Sequence, residues 1–322
     1  MNIIDEILSR REFADEPPVL VDIGASENIH RNWKRIARYS LCVAFDADER
    51  EFQYIKEESG KFRKLYIYNC IVSDTASEHS DFYLTKSPYC SSLLHPDNEK
   101  LKDLAYSSLF QVEKVAAIKT AALPDVLKEL GIESVDWFKT DSQGIDLRLF
   151  RSLGPEKINR VLAAEFEPGI IDAYIGENKL HEVLSYMDET NSFWMADVIV
   201  KGSPRIPESV LAGLYPNKKM RKLAMFSLKE APGWGELTYL NKFASGGQYS
   251  KRDYLLGWVF ATVLKHHGFA YTLALRAKES FSDPYFEKLM KHSRTSIRRE
   301  IIKLKFAVAI VTKISKMLNL TN

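Results

Sequence analysis

The sequence predicts an α/β fold built on an open, mostly parallel sheet, followed by a mainly helical C-terminal segment. Three observations lead to that reading. Over the first two thirds, short β-branched or apolar runs alternate with longer helix-like stretches, the rhythm of βαβ units. Acidic residues stand at the ends of the predicted first, second and fourth strands, where parallel sheets bind ligands. After Lys201, Pro204 and Pro207 break the rhythm and the pattern turns helical, which sets an expected boundary between residues 1–200 and 201–322.

Taken in order, PPVLVDIG supplies a first strand at Val19–Ile23, followed by a helix over 31–39 and a second strand over 41–45 in LCVAFDAD. A helix over 50–58 and a third strand over 65–72 in LYIYNCIV come next. The stretch 73–113 is irregular, with an edge strand over 82–84 and the turn-rich KSPYCSSLLHPDNEK; long connections of this kind carry binding residues. A helix over 123–130 stops at Gly131, a C′ glycine, and a fourth strand spans 135–140. A helix over 145–153 ends at Gly154-Pro155, and a fifth strand spans 160–166. A helix over 180–189 and a strand over 193–200 complete the alternating region.

Composition limits the function classes. Hydrophobic residues at 45% and charged residues at 27% exclude disordered, collagenous and disulfide-scaffold chains. A formal charge of +2 gives no global basic field and argues against nucleic acid as a partner. Cys42, Cys70 and Cys90 form no CxxC and stand near no His at zinc spacing, so no metal site is expected and a reducing compartment is. MNIIDEILSRREF lacks the apolar core of a signal peptide, and no window has the ~18 apolar residues of a membrane span. The expectation is a cytoplasmic protein.

In VDIGASENIH, Asp22 and Gly24 stand where strand becomes loop, and glycine there lets a ligand approach the backbone. A dinucleotide site wants G-x-G-x-x-G, but Ser26 and Ile29 occupy the other glycine positions, which disfavours NAD or FAD more than a phosphate-free nucleoside. Asp46 and Asp48 follow the second strand, where a carboxylate accepts hydrogen bonds from ribose hydroxyls; Asp48 also suits the N-cap of the next helix. Lys139 and Asp141 interrupt the apolar fourth strand of VDWFKTDSQGIDLRLF, and a buried strand tolerates Asp only when it is bonded or used. Glu165 interrupts the fifth strand in the same way, and Glu167, two residues on, shares its face.

These residues resemble the FkbM-type methyltransferases, a class I S-adenosylmethionine-dependent family consisting mostly of O-methyltransferases. The resemblance rests on VDIGAS (21–26), AFDADER (44–50), NCIVSD (69–74), SSLL (91–94), IKTAALPDVL (118–127) and FKTDSQGIDLRLF (138–150), in the family's order within 17–200. It implies a Rossmann-like class I methyltransferase fold with a mostly parallel seven-stranded sheet and helices on both faces. It also implies S-adenosylmethionine as cofactor. Asp22, Gly24 and Ala25 would surround the methionine moiety, Asp46 would bind the ribose, and Asp74 would lie near adenine; Ser26 and Asp48, in the same two turns, complete the expected cofactor-binding set. Many members continue the first motif with Asn and a further Gly; this chain has Ser26-Glu27-Asn28, so the amino-acid end is held differently or loosely.

The activated sulfonium leaves the protein to align an acceptor and remove its proton. Asp141 is the expected base or acceptor-orienting group, or a cofactor contact, with Gln143 and Glu165 lining the pocket; His30, His95 and His181 are runners-up. The expected acceptor is a sugar, glycan or small-molecule hydroxyl. Two other readings stand beside this one: a catalytically degenerate binding module acting through its C-terminal helices, and a nicotinamide oxidoreductase. The stretch 293–318 carries Arg294, Arg298, Arg299, Lys303, Lys305, Lys313 and Lys316 against Glu300 alone, which suits a peripheral membrane or protein contact as well as ordinary helix packing.

Overall fold

The computed structural model describes residues 2–24, 30–45, 59–68, 70–244 and 247–317, without the side chains of 59 and 306–317. The described strands are β1 Val19–Ile23, β2 Leu41–Phe45, β3 Lys64–Tyr68, β4 Ile71–Ser73, β5 Ser77–Thr85, β6 Val112–Ala122, β7 Trp137–Thr140, β8 Ala163–Phe166, β9 Phe193–Pro204 and β10 Glu230–Asn241. Seven of them form one sheet in the order β3-β2-β1-β7-β8-β10-β9, and the other three form a small sheet, β4-β6-β5. In the large sheet β1, β2, β3, β7 and β8 pair in parallel, while β10 runs antiparallel to β8 and β9. The α/β class and the mostly parallel seven-stranded sheet therefore stand.

Pleat alternation sorts the strand residues onto two faces. Val19, Val21, Ile23, Val43, Phe45, Phe138, Ala164 and Phe166 belong to one buried cluster. Its other members include Leu123, Val126 and Leu127 from helix Leu123–Glu129, Leu147, Leu149 and Phe150 from helix Asp146–Ser152, and Val183 and Met187 from helix Leu180–Glu189. The opposite face carries Leu20, Asp22, Trp137, Lys139, Ala163 and Glu165, and Trp33 meets Trp137 edge-on at 5.9 Å between ring centroids.

Several elements differ from the sequence-based expectation. The helix expected over 31–39 is two 3₁₀ turns, Trp33–Arg35 and Ala37–Tyr39. Trp33, Ile36 and Ala37 keep helical spacing and are buried, but the aromatic and β-branched content is weak in α-helix, and the bonds close at i→i+3, as in Ile36 N–H to Trp33 O at 2.8 Å. The strand expected over 65–72 is two strands in two sheets, β3 and β4. The edge strand expected over 82–84 extends to the nine residues of β5, paired with the unexpected β6. The helix expected over 50–58 lies outside the described residues.

The boundary expected near Lys201 falls inside β9. The sheet continues through β10, and the compact units are Met1–Lys242 and Phe243–Asn322. Residues 201–241 are therefore part of the sheet unit, with helices Glu208–Leu214 and Lys218–Ser227 between β9 and β10, and the segment after them is helical. That second unit holds helices Lys251–Val263, His267–Phe281 and Tyr285–Met317. A Ser250/Asp253 capping box starts the first of them, which is buried almost all round.

Candidate functional site

β1 lies between β2 and β7, and the chain runs outward on one side to β3 before returning to β7 on the other, so β1 and β7 flank the topological switch point. Register places Asp22 of β1 opposite Lys139 of β7, and Lys139 opposite Glu165 of β8. The result is a polar row, acid-cation-acid, across three adjacent strands on one face. Lys139 Nζ donates to Asp22 Oδ1 at 2.7 Å. Burial depresses the Lys139 pKa, but the surrounding Asp22, Asp141 and Glu165 carboxylates outweigh it and hold the ammonium charged. Glu165 Oε1 accepts from Trp137 Nε1 at 2.9 Å, and His30 Nε2 stands 3.6 Å from its Oε2. Burial, reinforced by Lys139, lowers His30 to about 4, so the imidazole is neutral at pH 7.

The loops leaving β1 and β7 are locked together. Asp141 N–H donates to Ile23 O at 2.9 Å, and Gly24 N–H to Phe45 O at 3.0 Å. Gly24 has φ +76°, and a Cβ there would stand 2.3 Å from the Asp141 carbonyl oxygen. Only glycine fits that passage.

Asp141 continues the pleat two residues past Lys139. Gln143 Nε2 donates to its Oδ1, Gln143 Oε1 accepts from Tyr174 Oη at 2.9 Å, and Ser92 Oγ donates to the Gln143 carbonyl at 2.7 Å. These bonds hold Gln143 at φ +55°, a left-handed conformation costly for a residue with a Cβ. Gly144 follows at φ +115°, with Glu177 Cβ and Leu94 Cδ1 each 3.0 Å from where its own Cβ would be. The single Tyr174 hydroxyl hydrogen is shared between Gln143 Oε1 and Cys90 O, which also lies 2.9 Å from Oη. The SSLL segment, the DSQG loop and the loop around Tyr174 thus close over the end of β7.

Asp146 explains the rest of the loop. It accepts from Thr140 Oγ1 at 2.9 Å, Ser142 N–H at 2.8 Å, Ser142 Oγ and Glu167 N–H at 3.0 Å. Fully engaged, it ties the end of β8 to the loop after β7.

The remaining acids differ in proton affinity. Burial raises Asp141 to about 6 against the pull of Lys139. Burial raises Glu165 to about 7, and burial together with the Asp141 charge raises Glu167 to about 9. Near neutral pH, then, Asp141 can accept a proton while Glu167 holds one, the separation that acid and base roles require.

Of the expected site residues, Asp22, Gly24, Asp141, Gln143 and Glu165 come together here. Ala25, Ser26, Asp46 and Asp48 lie outside the described residues. Asp74 is exposed at the end of β4 in the small sheet, where its Oδ1 accepts from Ser73 Oγ at 2.9 Å; no described hydrogen bond joins it to the row. His95 is exposed and its Nδ1 lies 2.7 Å from Pro96 O, and His181 is exposed on helix Leu180–Glu189. The organising role of Lys139 was not foreseen. Its place in the strand was visible, but its pairing with Asp22 depends on register between segments 117 residues apart. Tyr174 left no signal in sequence. Comparison with family models, with curated proteins and with solved structures finds no match to this chain.

Proposed function

We propose that the chain is an S-adenosylmethionine-dependent O-methyltransferase of Rossmann-like class I fold, acting on a hydroxyl of a sugar, glycan or small molecule. The observation that carries this reading is the row Asp22-Lys139-Glu165 beneath Asp141 and Gly24 at the switch point, where open α/β sheets bind ligands. Two further features favour a nucleoside without a pyrophosphate. The turn after β1 has Gly24 but neither later glycine of the dinucleotide motif. The sheet also departs from the all-parallel 3-2-1-4-5-6 dinucleotide order by placing antiparallel β10 between β8 and β9.

The residues present fit the cofactor. Buried Asp22 and half-buried Asp141 and Glu165 outnumber Lys139 at the site, a field that favours a sulfonium cation. Asp22, Gly24, Ala25 and Ser26 would hold the amino-acid end, Asp46 and Asp48 the ribose, and Asp74 the adenine side. When bound, S-adenosylmethionine supplies an electrophilic methyl group. The protein orients the acceptor and takes up its proton, a task for Asp141 with its pKa of about 6. Gln143, fixed by Tyr174 and Ser92, holds the Asp141 carboxylate in one orientation. Glu165, engaged by Trp137 and facing Lys139, keeps the cation in place.

Calorimetric titration with S-adenosylmethionine and S-adenosylhomocysteine, followed by radiolabelled methyl transfer to a panel of glycans, tests the reading. Saturable binding of both nucleosides is expected. Absence of binding at millimolar ligand would overturn it in favour of a non-catalytic binding module, and protection by NADH alone would favour an oxidoreductase.

A further inference from the structure

The connection between β9 and β10 contains two short helices, Glu208–Leu214 and Lys218–Ser227. The second begins at Asn217, whose Oδ1 caps the Lys219 and Met220 N–H groups at 2.8 and 3.3 Å. Its sequence, KKMRKLAMFS, contains no acid. Helical geometry puts Lys219, Lys222, Leu223 and Phe226 within an arc of about 100°, opposite Ala224, which is the buried residue of this helix. The helix therefore turns its large apolar residues outward: Phe226 is 78% exposed and Leu223 60%. In an ordinary amphipathic helix those two would face the core. Val210, Leu214 and Met220 are exposed nearby in sequence, and Lys218, Lys219, Arg221, Lys222 and Lys229 face only Glu208 and Glu230 along 208–230.

We propose that this connection is a membrane-docking element that seats on an anionic lipid surface. Interleaved cations and bulky apolar side chains on one exposed face match a bilayer interface, where the apolar groups enter the acyl boundary and the cations meet headgroup phosphates and carboxylates. A second copy of the chain fits less well, since two-fold pairing would set Lys218, Lys219 and Lys222 against their own copies. Nucleic acid would use the cations but leave Leu214 and Leu223 in water. The second unit, taken by itself, carries a stretch of the same chemistry. In helix Tyr285–Met317 every residue of 297–305 is exposed, and Ile297, Ile301 and Leu304 share a stripe flanked by Arg298, Lys303 and Lys305. Among the described residues no helix is long and apolar enough to cross a membrane, so the proposed contact is interfacial.

Co-sedimentation of the full chain with phosphatidylcholine vesicles, with and without phosphatidylserine, tests the proposal. Binding to the phosphatidylserine vesicles that weakens with added salt is expected, with little binding to phosphatidylcholine alone. The double variant Leu223→Ser/Phe226→Ser should bind about tenfold more weakly or worse. Lys218→Gln/Lys219→Gln/Lys222→Gln should lose on the order of 100-fold. Both should melt at the wild-type temperature, since the altered groups are exposed. No binding to anionic vesicles, or unchanged binding by both variants, overturns the proposal. So does a wild-type dimer in sedimentation velocity that the Leu223/Phe226 variant abolishes, because the face would then belong to a second copy. Loss of S-adenosylmethionine binding would leave this proposal standing, because the two tests share no residue.

Discussion

Asp141→Asn should stabilise the unliganded protein at alkaline pH while abolishing methyl transfer. Burial moves the Asp141 carboxyl from 3.8 to about 6. At about 1.4 kcal/mol per pH unit, ionising it in the folded state costs about 3 kcal/mol. The sign follows from linkage. A carboxyl whose folded pKa is raised is fully tolerated below about 3.8, becomes progressively destabilising as pH climbs through about 6, and exacts the whole penalty above that. Asparagine keeps an Oδ1 acceptor for Gln143 Nε2, so the local hydrogen bond survives. It still has to be desolvated, and it removes one of the charges that hold Lys139, so a net gain of about 1 to 2 kcal/mol is expected. For a sheet unit of this size that corresponds to a melting temperature about 2 to 8 °C higher near pH 8. Scanning calorimetry at several pH values gives the decisive signature: by about pH 4.5 the ionisation penalty has fallen to about 1 kcal/mol, no larger than those offsets, so the gain should vanish or reverse. A variant less stable than wild type at pH 8, or a gain independent of pH, would refute the reasoning and make Asp141 a structural partner of Lys139.

Lys139→Met should have the opposite effect, a loss of about 3 kcal/mol in denaturant titration, since it leaves Asp22 buried without its cation. Gly24→Ala should cost about 2 kcal/mol or more and abolish cofactor binding by calorimetry, because the new Cβ meets the Asp141 carbonyl oxygen at 2.3 Å on a backbone at φ +76°. The methyl-transfer rate should rise with pH through about 6 as Asp141 becomes able to accept a proton. A rate that falls on raising the pH from 5 to 7 would exclude Asp141 as the base. Asp46→Ala should weaken S-adenosylmethionine binding by roughly 1 to 3 kcal/mol, and unchanged affinity would show that the ribose is held elsewhere.

The central strands were legible because buried parallel strands advertise themselves as continuous apolar runs, and β1, β2 and helix Leu180–Glu189 fall where their patterns place them. β6 was illegible for the converse reason. VEKVAAIKTAA is rich in Ala and Lys, which have little strand preference, and it becomes a strand through pairing with β5 and β4. Two glycines and a proline in β10 argued against a strand, yet the chain uses them. A Cβ at Gly233 would stand 2.9 Å from Tyr106 Oη and 3.3 Å from Gly202 Cα, one at Gly202 of β9 would stand 1.9 Å from Ala231 O, and the register slips between Pro232 and Trp234, so the two strands approach where side chains would collide. Missing β10 is what displaced the expected boundary to Lys201. The site was half legible. An acid in an apolar strand is visible in sequence, and Asp22, Asp141 and Glu165 stood out in that way. Whether such acids meet depends on register, which no local pattern records.

The balance of charge in the row says what kind of ligand would complete it. Lys139 is bonded to Asp22 and faces Glu165, while Asp141 and Glu167 remain at proton affinities that burial has raised. A fold selected for stability alone would replace such acids with apolar residues, as the expected gain from Asp141→Asn expresses. An anionic or pyrophosphate ligand would deepen the imbalance, whereas a cationic centre near Asp141 would relieve it. On the proposed reading, the carboxylate whose ionisation costs the fold stability is the one that would stand beside the sulfonium.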